Sequence, residues 1–188
     1  MSIEDVKPEK TLSTETIYKG TVITLRVDRV MLPDGREAVR EVVEYPKSVV
    51  VVPIDADENV IFVRQYRYAA GQPLLELPAG KCEEEESPAE TAQRELQEEI
   101  GYKAGRLQPL VSYWTGPGFV TEYMYAFLAK DLIESAMASD PDEHIVVERF
   151  PLDRIHDLIR NRTIQDGKTI ATLLMAMHVH DQNSNRSP

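Results

Sequence analysis

The segment that decides the fold runs from residue 80 to residue 102 and reads GKCEEEESPAETAQRELQEEIGY. Ser87, Pro88 and Glu90 form a helix start, because a serine cap is followed by a proline at the first helical position and by an acid three residues after the cap. Gly101 is a natural helix stop. The segment therefore predicts one helix, preceded by an acidic loop.

Three glutamates on this predicted helix, Glu95, Glu98 and Glu99, stand at positions i, i+3 and i+4, so their carboxylates project from one face. Like charges on one face destabilise a helix slightly, and a divalent cation reverses that effect. The spacing therefore indicates a metal site, with Arg94 placed to pair with Glu98 four residues later. For residues 83–86 we accept in part a simpler interpretation, a solvated loop of acids without a function.

Composition limits the class of protein. A chain of 188 residues is long enough for one domain with a hydrophobic core. The net charge of -11 argues against broad nucleic-acid binding, although a small phosphorylated ligand remains compatible with it. The single cysteine, Cys82, cannot form an internal disulfide. The first residues lack the pattern of a secretory signal and no apolar run is long enough to cross a membrane, so we expect a soluble cytoplasmic protein.

Extended segments are predicted on both sides of the helix. They are 14–20, 21–32, 36–45, 48–54, 59–68, 106–114, 119–129 and 144–150. The run 48–54 is continuously apolar, which is typical of a strand buried on both faces. Helical spacing recurs in 151–160 and 168–179. These elements predict an α/β fold, a mixed sheet sandwiched between helices, with an antiparallel β hairpin region at the amino end.

Eight residues of the opening segment stand in the order and spacing of the Nudix box, which is G, five residues, E, seven residues, REU, one residue, EE, one residue and GU. They are Gly80, Glu86, Arg94, Glu95, Leu96, Glu98, Glu99 and Gly101. Tyr102 departs from the pattern, because that position is usually aliphatic. The chain thus resembles the Nudix hydrolases, and the resemblance implies a Nudix α/β/α sandwich.

The flanking sequence resembles the ADP-ribose pyrophosphatase branch, which hydrolyses nucleoside diphosphate sugars. The matching stretches are 40–44, 64–67, 76–80, 116–119 and 143–174. The resemblance implies hydrolysis of the pyrophosphate bond of ADP-ribose or a related nucleoside diphosphate sugar, giving a nucleoside monophosphate and a sugar phosphate. It implies Mg²⁺ as the cofactor, with Mn²⁺ as a possible substitute, and a homodimer. It also implies a β region at 1–45, exchanged between subunits, and a Nudix domain at 46–181. The polar composition of residues 182–188 predicts a disordered tail.

Carried over residue by residue, the resemblance assigns roles to named positions. The metal ligands would be Glu95, Glu98, Glu99, Glu143 and the backbone carbonyl of Ala79. The catalytic residues would be Glu98, Glu99, Glu143 and Arg94. The substrate-binding residues would be Arg67 on a phosphate, Arg40 stacked on the partner's nucleobase, and Pro117 and Phe119 in the glycine-rich loop. Trp114 and Phe119 flank that loop and are candidates to line a base or sugar pocket.

The general base stays open. Relatives carry a catalytic glutamate in an acidic loop before the strand that starts near His144, in a pattern like E, any residue, E. This chain reads Asp140-Pro141-Asp142-Glu143, which puts Pro141 at the first glutamate and matches Glu143 to a metal-contacting acid. The candidates to accept the proton are Asp140, Asp142, Glu143 and a glutamate of the box. The general base is the one among them that reaches the attacking water within hydrogen-bond distance.

Three rival functions are considered. The first is a Nudix hydrolase of dinucleoside polyphosphates or nucleoside triphosphates, and the second is a catalytically silent nucleotide-binding module. The third is a calcium-binding or merely acidic structural protein. A silent module would be expected to lack acids of the box, which are complete here, and a structural protein would have no need of Gly80, Arg94 and Gly101 in register with them.

Overall fold

The computed structural model describes residues 6–138 and 144–184, with side chains described as far as residue 179. The strands in these residues are β1 Lys10–Lys19, β2 Thr24–Met31, β3 Glu37–Glu44, β4 Ser48–Pro53, β5 Asn59–Arg67, β6 Gln72–Glu76, β7 Ala79–Lys81, β8 Tyr102–Trp114, β9 Tyr123–Glu134 and β10 Val146–Pro151. The helices are α1 Pro88–Glu99, α2 Ile155–Arg160 and α3 Gly167–Ser184. No helix in the described ranges is long and apolar enough to cross a membrane.

The described residues form two compact units. The first contains the residues up to Lys47 together with Trp114–Tyr123, and the second contains Ser48–Tyr113 and the described residues from Met124 onward.

The first unit is built on an antiparallel sheet in the order β1-β2-β3. Gly35, with φ of 85°, closes the turn between β2 and β3, which confirms the predicted hairpin. The segment after Trp114 joins this unit through Val43, whose N–H donates to the carbonyl of Phe119 at 2.8 Å and whose carbonyl accepts from Thr121 at 3.0 Å. Every residue of β1 is exposed.

The second unit contains two sheets, in the orders β7-β4-β9-β8 and β10-β5-β6. The four-stranded sheet is mixed, because β4 runs parallel to β9 and antiparallel to β7. The side chains of β4 alternate between two cores: Val50 and Val52 pack in one core with Leu173 of α3, and Val49 and Val51 in the other with Leu96 of α1. The predicted strand buried on both faces, and the α/β/α sandwich, are confirmed.

Several elements differ from the sequence prediction; β1 and β8, for example, each start four residues earlier than predicted, at Lys10 and Tyr102. Strands β6 and β7 lie in a stretch that was assigned no element, because they are short and contain Pro73 and Gly80, which are rare inside strands. Strand β9 starts at Tyr123 instead of 119, because Phe119 and Val120 donate to the carbonyl of Gly116 in a turn.

The predicted helix 151–160 is a 3₁₀ turn followed by α2. Helix α3 continues to Ser184, into the predicted tail, and residues 185–188 lie outside the described residues.

Candidate active site

Helix α1 begins and ends where its sequence signals predict. The hydroxyl of Ser87 accepts a hydrogen bond from the N–H of Glu90 at 3.3 Å, and the Glu90 carboxylate accepts one from the N–H of Ser87 at 2.9 Å. Pro88 follows the cap, as expected for a residue without an N–H to satisfy. Gly101, with φ of 78°, lies just past the end of the helix. The helix is therefore fixed in register, and with it the face that carries the acids.

Two of the three glutamates on that face are buried. Glu95 is 8% exposed and Glu99 is 6% exposed, whereas Glu98 is half-buried. Leu96 and Ile100 anchor the neighbouring face of α1 in the core below the sheet. Carboxylates are rarely buried unless they are paired or bind a cation, so this face is a candidate ion site.

The strand β7 lies against the buried acids. One carboxylate oxygen of Glu99 accepts a hydrogen bond from the N–H of Ala79 at 3.1 Å. A Cβ placed on Gly80 would lie 1.8 Å from Oε1 of Glu95, so only glycine leaves space for this carboxylate. The glycine that begins the motif therefore serves the acid fifteen residues later, and the predicted ligands Ala79, Glu95 and Glu99 come together.

Arg94 connects the acids to one another. Its Nε and Nη2 donate to the two oxygens of Glu86 at 2.8 and 3.0 Å, and its Nη1 donates to Glu95 at 2.8 Å and Glu98 at 2.9 Å. The pair of Arg94 with Glu98 was predicted and is confirmed. Nη2 also donates to the carbonyl of Lys81 at 3.1 Å. The guanidinium thus offsets the repulsion among the acids and fixes the directions of their carboxylates.

Glu86 corrects the interpretation of residues 83–86 as a solvated loop. Its side chain is 21% exposed, and the hydrogen bonds from Arg94 lower its pKa from 4.5 to about 2. Thr91 also donates to it, at 2.9 Å. The same hydrogen bonds to Glu86 are the largest cause of the raised pKa of Arg94. Glu86 is therefore a structural member of the site, while Glu83, Glu84 and Glu85 are exposed.

The donor set fits a hard divalent cation in its chemistry, because the side chains that converge beside Gly80 offer only oxygen atoms. Within residues 6–138 and 144–184, no group of three or more histidine, cysteine, aspartate or glutamate side chains is already arranged as a metal site. The Nη1 atom of Arg94 pairs with both Glu95 and Glu98, at 2.8 and 2.9 Å. A cation would have to share these carboxylates with Arg94.

Arg67, predicted to hold a phosphate, is fixed by an acid that sequence reasoning did not single out. Its Nε and Nη2 donate to the two oxygens of Glu76 at 2.7 and 2.8 Å, and Glu76 is only 1% exposed. Lys168 pairs with the same carboxylate and also with Asp166, at 3.1 Å. Glu76 and Lys168 are 92 residues apart, and no local pattern in the sequence links them.

Burial and ion pairing have opposite effects on the pKa values of Glu76 and Arg67. Burial would raise the pKa of Glu76, but the hydrogen bond from Arg67 and the charge of Lys168 outweigh it, so the pKa is lowered. The hydrogen bond to Glu76 raises the pKa of Arg67, with smaller contributions from Glu99 and Asp166. Arg67 therefore lies within electrostatic reach of the acids on α1.

Three of the predicted substrate-binding residues come together in the first unit. Arg40, Pro117 and Phe119 line a cleft of about 490 Å³, which we call the aromatic cleft because Phe119 and Trp114 lie along it. Arg40 donates to the carboxylate of Glu9 at 3.0 and 2.5 Å. Trp114 packs edge-on against Tyr123, with ring centroids 4.9 Å apart. Both Trp114 and Phe119 are more than half exposed.

Glu143 and the alternative bases Asp140 and Asp142, like Pro141 between them, lie outside the described residues.

Two family models match the chain. One described as NUDIX domain matches residues 44–173, and one described as nucleoside diphosphate sugar hydrolase N-terminal domain matches residues 9–43. An ADP-ribose pyrophosphatase of Bacillus subtilis is 39% identical over 163 residues, which are 86% of this chain and 88% of that protein. A methanol dehydrogenase activator of Bacillus methanolicus is 40% identical over 164 residues, 86% of this chain and 89% of that protein.

Solved structures share the fold. A crystal structure of an ADP compounds hydrolase superimposes with a TM-score of 0.87 at 24% identity, covering 95% of this chain and 97% of the other. At that identity the match shows the fold alone, and it agrees with the layers described above.

Proposed function

This chain belongs to the Nudix family, and from that premise we propose that it hydrolyses the pyrophosphate bond of ADP-ribose or a related nucleoside diphosphate sugar. The products are a nucleoside monophosphate and a sugar phosphate. The observation that carries the proposal is the arrangement of the box residues: the buried Glu95 lies against Gly80 and is held by Arg94, and the buried Glu99 accepts a hydrogen bond from Ala79. The match of residues 9–43 to the N-terminal domain of nucleoside diphosphate sugar hydrolases supports this substrate class.

Nudix hydrolases use divalent metal ions, and we propose Mg²⁺ for this chain, with Mn²⁺ as a substitute. Glu95 and Glu99 would hold the ion, with Glu98, Glu143 and the carbonyl of Ala79 as further oxygen donors. The burial of Glu95 and Glu99 and the hydrogen bond from Ala79 to Glu99 support this set. A bound divalent cation supplies polarisation of a phosphoryl oxygen and lowers the pKa of a water molecule.

The chain's own residues would then perform the proton transfer and hold the phosphates. The water oxygen bonds to phosphorus while the bond from phosphorus to the bridging oxygen breaks, and the second phosphate leaves. A carboxylate accepts the proton of the water, and the candidates are Glu98, Glu99, Glu143, Asp140 and Asp142. Arg94 would keep Glu95 and Glu98 aligned, and Arg67 would bind a phosphate oxygen through its remaining N–H groups.

The base of the substrate would be held in the first unit. We propose that Arg40 stacks on the nucleobase of the substrate that the partner subunit binds, and that Pro117 and Phe119 contact the substrate. All three residues line the aromatic cleft. The partition proposed here is a β region at 1–45 that is exchanged between subunits and a hydrolase domain at 46–181.

A homodimer follows from this exchange. The complete exposure of β1, which carries Leu12, Ile17 and Tyr18 at its surface, supports it, because an exposed edge strand is a site for pairing with another chain. Sedimentation equilibrium should give twice the mass of the chain. A monomer at all concentrations tested would contradict the exchange.

The experiment that tests the function is a substrate panel with Mg²⁺, in which products are identified by mass. ADP-ribose, GDP-mannose, a dinucleoside polyphosphate and ATP should be compared at equal concentration. We expect the nucleoside diphosphate sugars to give a nucleoside monophosphate and a sugar phosphate, and ATP to react least. Preferred cleavage of ATP or of the dinucleoside polyphosphate would favour the rival Nudix activities, and binding without turnover would favour a silent module.

A further inference from the structure

The aromatic cleft contains a buried acid that the proposed reaction has not used. Asp28 lies on β2, lines the cleft and is 5% exposed. One of its oxygens, Oδ2, accepts a hydrogen bond from Arg26. The other, Oδ1, is shielded from solvent and has no hydrogen-bond partner among the described residues. A buried carboxylate oxygen without a donor is costly, so its presence in a cleft calls for a function.

The nearest cation on the neighbouring strand does not supply this donor. Asp28 and Arg40 are directly opposite each other in the register of β2 and β3, so their side chains share one face of the sheet. Arg40, however, is turned to Glu9, which occupies its Nε and Nη2. The face of the sheet therefore presents an acceptor that its own neighbours leave unpaired.

The walls of the same cleft fit a flat ring. Trp114 and Phe119 are more than half exposed there, and the guanidinium of Arg40 is a planar cation that stacks on aromatic faces. A ligand that fits both features has an aromatic face and an N–H donor at its edge. A nucleobase that carries an amino group has both.

We propose that Asp28 selects the base of the substrate by accepting a hydrogen bond from its exocyclic amino group, so that the enzyme prefers adenine to hypoxanthine. The inference rests on the proposed function, which supplies the nucleotide. An ionised carboxylate only accepts hydrogen bonds, and the 6-carbonyl of hypoxanthine would set one acceptor against another. The χ2 torsion of aspartate is broad, so a small rotation turns Oδ1 towards a donor in the cleft.

The chain offers a direct readout of binding that does not need turnover. Trp114 is the single tryptophan of the chain and lines the cleft, so its fluorescence reports occupancy. Without metal, titration with AMP and with IMP should give dissociation constants that differ by about tenfold to hundredfold in favour of AMP, the range expected for one buried hydrogen bond. Equal constants, or no fluorescence change with either nucleotide, would overturn the proposal.

The variant Asp28→Asn keeps the shape of the side chain and adds a donor. Its amide oxygen can still accept from Arg26 while its NH₂ group donates to the 6-carbonyl of hypoxanthine, so the preference for AMP should fall at least about tenfold. Glu37→Gln is the matched control, because Glu37 lies on β3, is exposed and pairs with Arg29 instead of lining the cleft. An unchanged ratio in Asp28→Asn would overturn the proposal. The comparison in the unaltered protein decides it if this variant does not fold.

Hydrolysis of ADP-ribose and IDP-ribose separates this inference from the function on which it rests. If both are cleaved with equal kcat/KM, the enzyme is a pyrophosphatase and the role of Asp28 is wrong. If neither is cleaved but AMP still binds more tightly than IMP and Asp28→Asn lowers that preference, the role of Asp28 stands and the proposed hydrolysis fails.

Discussion

A Cβ placed on Gly80 would lie 1.8 Å from Oε1 of Glu95 and 2.1 Å from its carboxyl carbon. This contact explains why a glycine is needed fifteen residues before the first acid of the helix face. Any side chain at position 80 must displace the carboxylate, because the backbone of β7 is paired with β4 and cannot retreat easily. The glycine and the glutamate therefore form one structural unit of the site.

Gly80→Ala should impair the metal site more than the fold. We expect the Mg²⁺ concentration for half-maximal hydrolysis of ADP-ribose to rise at least about tenfold, as for loss of a group that orients a ligand. Gly167→Ala is the control, because a Cβ there meets nothing within 4 Å. An unaltered metal dependence in Gly80→Ala, with the fold intact, would show that the position of Glu95 does not matter for the ion.

Arg94→Lys should destabilise the protein although the charge is kept. Lysine cannot reproduce the guanidinium fork that reaches Glu86, Glu95 and Glu98 together, so the free energy of unfolding should fall by about 1–3 kcal/mol. Urea unfolding without metal measures this. The exposed Arg106, 3.6 Å from Asp131, gives a matched comparison in Arg106→Lys, and a loss there of similar size would refute the special role of the fork.

The pair of Glu86 with Arg94 predicts a defined dependence of stability on pH. The pKa of Glu86 falls from 4.5 to about 2 on folding, so the ionised carboxylate stabilises the folded state fully above pH 4.5. That stabilisation is lost as the pH drops from 4.5 towards 2. The stability difference between the protein and Glu86→Gln should therefore be constant near neutral pH and shrink over this interval. Glu84→Gln removes the same charge from the exposed part of the loop and should show a much smaller difference.

Glu76→Gln should weaken both the fold and substrate binding. The change leaves Lys168 and Arg67 without their shared buried counter-charge. We expect the free energy of unfolding to fall by about 3 kcal/mol, which is the lower end for breaking a buried ion pair. The lower end applies because Arg67 is partly exposed. KM for ADP-ribose should rise, since Arg67 loses its fixed direction, while the Mg²⁺ dependence stays the same.

A double-mutant cycle controls this interpretation. Glu76→Gln combined with Lys168→Met removes the charge on both sides, so the two losses of stability should add to more than the loss in the double variant. Strict additivity would mean that the two residues do not act together, and a KM unchanged in Glu76→Gln would contradict the positioning of Arg67.

The sequence predicted the parts of this structure that depend on neighbouring residues. The cap at Ser87, the helix of α1 and the pair of Arg94 with Glu98 follow from spacings of three and four residues, and all are present. The run 48–54 was identified as a doubly buried strand from its composition, and β4 lies between the two cores.

Features that depend on distant parts of the chain could not be read in the same way. The contact of Glu76 with Lys168 joins positions 92 residues apart, and only the folded chain brings strand β6 and helix α3 together. The unpaired oxygen of Asp28 and the pair of Arg40 with Glu9, 31 residues away, are likewise not encoded by any local spacing. Strands β6 and β7 were missed because proline and glycine interrupt them, and tertiary pairing overrides that local signal.

The most direct test of the central claim is the rate of ADP-ribose hydrolysis by Glu99→Gln at saturating Mg²⁺. Glu99 is 6% exposed, accepts a hydrogen bond from Ala79 and is a proposed ligand of the ion, and the substitution removes its charge with almost no change of shape. We predict that turnover falls by at least about a hundredfold while the far-ultraviolet circular dichroism and the AMP-dependent change in Trp114 fluorescence stay the same. Hydrolysis at the unaltered rate would contradict the assignment of these glutamates to the metal site.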